Sequence, residues 1–144
     1  MKLYIDSCVY VDFLGIPKTK FDTTMSEKAS KFFNHVLLKK HKILLSGWAI
    51  KETERVLNDQ NIAWESLKPF FAIYGSLIET IICTDEDKQK AKLLCPNNYD
   101  DALHVILAEK SKANYIITSN LAHFKRIKST IQVLCPSEFL ALLL

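Results

Sequence analysis

The chain has 144 residues, enough for one domain that buries a continuous core without disulfides or a structural metal. Hydrophobic residues make up 49% and charged residues 24%, with three Gly and four Pro, which excludes disorder, collagen-like repeats and low complexity. The net charge of +3 permits a polyanionic partner without demanding one.

Cys8, Cys83, Cys95 and Cys135 stand far apart, with no C-x-x-C pair and no nearby His at zinc spacing. They read as buried thiols of a protein in a reducing cytoplasm. No apolar run approaches the roughly 18 to 20 residues that span a bilayer, so the chain is expected to be neither secreted nor membrane-embedded.

Short runs rich in β-branched residues alternate with segments of helical spacing, the pattern of β-α units around a parallel sheet. In chain order this predicts a strand at 2–6, helices at 9–14 and 26–40, a strand at 42–46, and a helix at 48–58. A helix at 63–76 follows, which Pro69 kinks or splits, then a strand at 78–84 and a helix at 85–94 capped by Asp85. A helix at 100–111, a strand at 114–118, a helix at 121–126, a strand at 131–135 and a last helix opened by Pro136 complete the pattern. The terminal Leu140-Ala141-Leu142-Leu143-Leu144 reads as a packed helix end or a subunit contact.

Open parallel sheets bind ligands beyond the carboxyl ends of their strands. There the run Leu3-Tyr4-Ile5 ends in Asp6-Ser7, and Tyr115-Ile116-Ile117 ends in Thr118-Ser119-Asn120. The helix at 100–111 is apolar almost all round after its first turn, so it is buried and holds Asp101 at the mouth of the core. Glu52 and Glu54 flank the apolar stripe of the helix at 48–58 on opposite sides, and periodicity does not choose between them. Taken singly, Asp6, Asp101 and Asn120 are better read as helix caps. Gathered together, carboxylates repel and call for a hard cation, Mg²⁺ or Mn²⁺.

Other chemistries lack their residues. Glycines at 15, 47 and 75 write neither a P-loop nor a dinucleotide fingerprint. A haloacid-dehalogenase phosphatase wants a second Asp where Cys8 stands, and a receiver-like domain wants an acid adjacent to Asp6. His35, His41, His104 and His123 form no metal spacing and are assigned no chemistry, and Cys8 reads as an inert, packed thiol.

In ordered combination these residues resemble the PIN-domain nucleases, the family that includes the VapC-type toxins of prokaryotic toxin–antitoxin pairs. The opening Lys2-Leu3-Tyr4-Ile5-Asp6-Ser7, the six-residue interval from Ser46 to Glu52, the Asp101-Ala102 pair and the later Thr118-Ser119-Asn120 fall in the family's order. The resemblance implies a three-layer α/β/α sandwich with a central parallel sheet of about five strands, spanning residues 1–144 as one domain. It implies a site of Asp6, Glu52, Asp101 and Asn120 holding Mg²⁺ or Mn²⁺, and so favours Glu52 over Glu54. Asn120 departs from the family's usual Asp and leaves three formal charges in place of four.

The implied activity is metal-dependent hydrolysis of RNA phosphodiester bonds in the cytoplasm, with RNA, an antitoxin protein and a second copy of the chain as partners. A PIN-fold module that binds RNA or protein without catalysis is the alternative. Ser7, Thr118 and Ser119 would orient carboxylates or substrate, and Lys125, Arg126, Lys128, Lys18 and Lys20 would hold RNA. The run Lys39-Lys40-His41-Lys42 reads as a solvated face at a helix C-terminus.

Overall fold

The computed structural model describes residues 1–15 and 24–143. Five strands, β1 (Lys2–Ile5), β2 (Lys42–Ser46), β3 (Ile78–Ile81), β4 (Tyr115–Ile117) and β5 (Gln132–Leu134), form one parallel sheet in the order β3-β2-β1-β4-β5. The helices are α1 (Ser7–Phe13), α2 (Thr24–Lys39), α3 (Gly47–Asp59), α4 (Lys68–Tyr74), α5 (Asp85–Leu94), α6 (Tyr99–Lys110), α7 (Leu121–Phe124) and α8 (Pro136–Leu142). None of these helices is long and apolar enough to cross a membrane.

Side-chain alternation along the strands divides the apolar residues between two cores, which makes the molecule a three-layer α/β/α sandwich. Leu3, Ile5, Ile43, Leu45, Ile117 and Leu134 face one side and pack with Val9, Phe32, Phe33, Phe70 and Phe139 of α1, α2, α4 and α8. Tyr4, Leu44 and Ile116 face the other and pack with Ala91, Leu103, Leu107 and Phe124 of α5, α6 and α7. Tyr10, Phe13, Phe33, Phe70 and Tyr74 interlock edge to face, tilted and stacked, with centroids 4.6 to 6.3 Å apart, in the first core. Each such pair adds about 0.5–1.5 kcal/mol beyond the area it buries.

Several expected boundaries move for local reasons. The helix read at 9–14 begins at Ser7, because Asp6 already serves as its N-cap. The strand read at 78–84 stops at Ile81, and the cap of α5 is Thr84, not Asp85. Thr84 Oγ1 accepts from the Asp87 N–H at 3.2 Å while Asp87 Oδ2 accepts from the Thr84 N–H at 2.9 Å, a reciprocal capping box. Pro69 splits the helix read at 63–76: a 3₁₀ turn, Trp64–Leu67, precedes it in the first turn of α4, and a second, Gly75–Leu77, follows. The helix read at 121–126 ends at Phe124, whereas Pro136 opens α8 as expected. Lys18 and Lys20 lie outside the described residues.

Three helices leave through a left-handed residue that is not glycine. Lys40, Asn61 and Lys112 have φ of 53°, 56° and 59° and follow α2, α3 and α6. The next N–H in each case reaches back five residues, from His41 to Val36, Ile62 to Leu57 and Ala113 to Ala108, which satisfies carbonyls the helix end would orphan.

Candidate active site

From β1 the chain builds outward through β2 to β3, then returns to lay β4 on the opposite side of β1. The carboxyl ends of β1 and β4 therefore part at the switch point, where a sheet of this kind opens a crevice. Asp6 stands at that end of β1. Its Oδ1 accepts from the Ser7 N–H at 2.8 Å, and its Oδ2 accepts from Thr118 Oγ1 at 2.8 Å, so the carboxylate ties the two strand ends together.

Glu52 is delivered by α3. Ser46 ends β2 and caps α3, its Oγ accepting from the Ala49 N–H at 3.0 Å, so the six residues from Ser46 to Glu52 are a fixed helical reach from a fixed start. Ser7 Oγ lies 3.2 Å from Glu52 Oε1 and donates to it. Glu54, on the other side of α3, is exposed and does not line the cleft.

Asp101 sits in the first turn of α6 and Asn120 just before α7. Together Asp6, Glu52, Asp101 and Asn120 line one cleft of about 330 Å³, with Ser7, Cys8 and His123 in its wall. Burial, and then the charge of Asp6, raise the Asp101 carboxyl above its ordinary value, opposed by Asn98 and by His104 and His123. The cap reading of Asn120 fails for its side chain, which makes no capping bond; its backbone N–H instead donates to Thr118 Oγ1 at 3.0 Å. For Asp6 both readings hold at once.

The orienting hydroxyls divide. Ser7 and Thr118 touch the acids, whereas Ser119 Oγ donates to Asp12 at 2.6 Å, away from the cleft. Cys8 Sγ lies 3.3 Å from Asp6 Oδ2, and burial followed by the Asp6 charge pushes its thiol up to about 12, which makes it the inert group expected. Of the basic residues, Arg126 lines a second hollow of about 500 Å³ that shares Asn98, Asp101 and His123 with the cleft. Lys125 and Lys128 are exposed and line neither.

The histidines need correction. His104, assigned no chemistry from the sequence, is fully buried, with Nε2 2.5 Å from Glu52 Oε1 and 3.1 Å from Asp6 Oδ1. Its Nδ1 is 2.7 Å from the hydroxyl of buried Tyr4, which in turn is 2.7 Å from Ser46 Oγ. Burial works against charge on His104, but Asp6, Glu52 and Asp101 outweigh it and raise its pKa. His123 also reaches the cleft, with Nδ1 3.7 Å from Asp101 Oδ2. The overlooked signal was a His three residues after Asp101 on a helix otherwise apolar all round, since a buried imidazole requires partners.

Asp6, Glu52 and His104 bring ligand-type atoms within 4.8 Å of one another. With Asp101 and the Asn120 amide in the same cleft, the donors offered to an incoming ion are mainly hard oxygens, the set that suits Mg²⁺ or Mn²⁺.

No protein-family model matches the chain, and no curated protein matches it by sequence. Its architecture nevertheless has counterparts among solved structures, with which it shares the PIN-domain fold. A chain of the Rickettsia felis VapBC2 complex, bound to a DNA fragment from its promoter, aligns with TM-score 0.65 at 16% identity over 94% of this chain and 98% of that one. A chain of FitAB bound to an IR36 DNA fragment aligns with TM-score 0.63 at 11% identity over 93% and 94%. VapC20 of Mycobacterium tuberculosis, described as a sarcin-ricin loop cleaving toxin, aligns with TM-score 0.59 at 12% identity over 79% and 86%. At these identities the likeness is one of fold.

Proposed function

We propose that the protein is a metal-dependent endoribonuclease, the toxin of a toxin–antitoxin pair, acting as a single domain through Asp6, Glu52, Asp101 and Asn120. The observation that carries this reading is the convergence of those four side chains, from four separate segments, on one cleft at the topological switch point. Fold likeness to VapC20, VapBC2 and FitAB supports the same class, and the two complexes support a small protein partner.

Asp6, Glu52 and Asp101 would hold Mg²⁺ or Mn²⁺, with the Asn120 carbonyl as a neutral fourth donor. Such an ion, when bound, supplies an acidified water and charge neutralisation at the phosphate. Thr118 and Ser7 keep the Asp6 and Glu52 oxygens aimed by donating to them. The acids discourage a bare polyanion, so Arg126, beside Asp101 in the adjoining hollow, is placed to draw an RNA phosphate in. The cleft needs no protein nucleophile, in keeping with the inert Cys8 thiol. A second copy of the chain is the proposed assembly partner, and the cytoplasm the proposed site of action.

The test is cleavage of structured RNA in Mn²⁺ by wild type and Asp101→Asn. Cleavage is expected in Mn²⁺, absent in EDTA, and lowered in the variant by more than about 100-fold, the upper end for residues that only orient ligands. Metal binding and RNA binding without cleavage would select the non-catalytic PIN-fold module, for which Asn120 is the favouring observation.

A further inference from the structure

Beneath the acid cleft runs an unbroken line of buried polar groups. Ser46 Oγ, Tyr4 OH and His104 Nδ1 follow one another at 2.7 Å each, and His104 Nε2 then meets Glu52 Oε1 and Asp6 Oδ1. Tyr4, Ser46 and His104 are all fully buried, so each must find its partners within the line.

The chemistry of the carboxylate end fixes the direction of the bond at Nε2. The Glu52 and Asp6 carboxylates only accept, so Nε2 carries the proton and donates. In the neutral ring Nδ1 is then the acceptor, the Tyr4 hydroxyl donates to it, and Ser46 donates to Tyr4 while accepting from the Ala49 N–H; in the charged ring Nδ1–H donates to Tyr4 instead, and Nε2–H still faces the carboxylates. Every donor and acceptor is satisfied once, and the alternative tautomer would set a bare Nε2 lone pair against two carboxylates.

Position separates this role from that of a metal ligand. Asp6, Glu52, Asp101 and Asn120 line the cleft, whereas His104 does not and has no exposed surface. An ion entering from the cleft meets the carboxylates first, with the imidazole behind them already at hydrogen-bond distance.

We propose that His104 is a positioning residue: its Nε2–H clamps Glu52 and Asp6 side by side in readiness for a divalent cation, and Tyr4 and Ser46 hold the ring in place through Nδ1. Ser46 also caps the helix that carries Glu52, so a single buried line sets both the helix start and the orientation of its carboxylate. This deepens the nuclease reading and rests on it for the reaction, though not for the clamp itself.

The test compares wild type, His104→Gln and His104→Leu by Mn²⁺ calorimetry alongside RNA cleavage. Leu is expected to weaken Mn²⁺ binding and cleavage by about 10- to 100-fold, the usual cost of losing a group that orients a ligand. Gln, whose side-chain N–H can take the place of Nε2–H, is expected to restore most of both. Gln failing as completely as Leu would make His104 a ligand, and Leu behaving as wild type would make it packing only; either overturns the proposal. Should Leu fail to fold, ¹⁵N resonances of wild-type His104 decide: Nε2 keeps its proton when Mg²⁺ is added, and loss of that proton overturns the clamp. If the affinity series holds while wild type cuts no RNA, the nuclease reading falls and the clamp stands. Wild type that binds no Mn²⁺ overturns both.

Discussion

Replacing Tyr4 by Phe deletes one oxygen and leaves the ring in the core it shares with Leu44 and Leu103. That oxygen makes two buried bonds, to His104 Nδ1 and to Ser46 Oγ, both 2.7 Å. Ser46 keeps its bond to the Ala49 N–H, but His104 Nδ1 loses its only hydrogen-bond partner among the described residues, at a position with no access to water. Stranding one buried acceptor costs about 1–3 kcal/mol, while the ring's apolar burial is unchanged. Urea unfolding in EDTA should therefore show a lower midpoint at an unchanged slope, equivalent to a loss in that range. Ser46→Ala strips the cap of α3 as well, at about 0.5–2 kcal/mol, and the double variant should lose less than the sum because the two share one line of bonds. A Tyr4→Phe protein as stable as wild type, or strictly additive losses, would refute the reasoning that the line is a single, fully satisfied unit.

Glu52→Gln should lose more than about 100-fold in Mn²⁺-dependent RNA cleavage while Glu54→Gln, on the exposed side of α3, keeps wild-type rates. Asn120→Asp adds a fourth carboxylate to the set of Asp6, Glu52 and Asp101, and calorimetry should show Mn²⁺ binding tightened by roughly tenfold or more, a small share of the Coulomb energy of a carboxylate a few ångströms from a divalent ion. Asp87 gives a pH signature remote from the cleft. Burial raises its pKa, but the hydrogen bonds from Lys110 and Thr84 outweigh this and leave it below the ordinary 3.8. Its contribution to stability is thus full above that value and is lost as pH falls through the depressed one. Urea midpoints compared between pH 7 and pH 3 should drop less in Asp87→Asn than in wild type.

The sequence alone determined the elements and most of the cleft. Alternating apolar runs fix which strand residues face each helical layer, and a polar group after an apolar run must lie where the strand ends, so Asp6 and Asn120 were legible as residues of one sheet edge. Asp101 was legible too, because a helix apolar through its middle can place acids only at its ends, and Asp101 stands at the first of them. Boundaries shifted where a side chain competed for a backbone group, as when Thr84 took the cap of α5 from Asp85. Tertiary structure alone brought Glu52 into the cleft without appeal to family likeness, since the two faces of α3 are equivalent until the helix is packed. It alone showed His104 and Tyr4 at work, because their partners lie 52 and 42 residues or more away in sequence. No spacing encodes a bond between residues so distant. What the local sequence records is only that a buried imidazole and a buried phenol need partners, and folding is what supplies them.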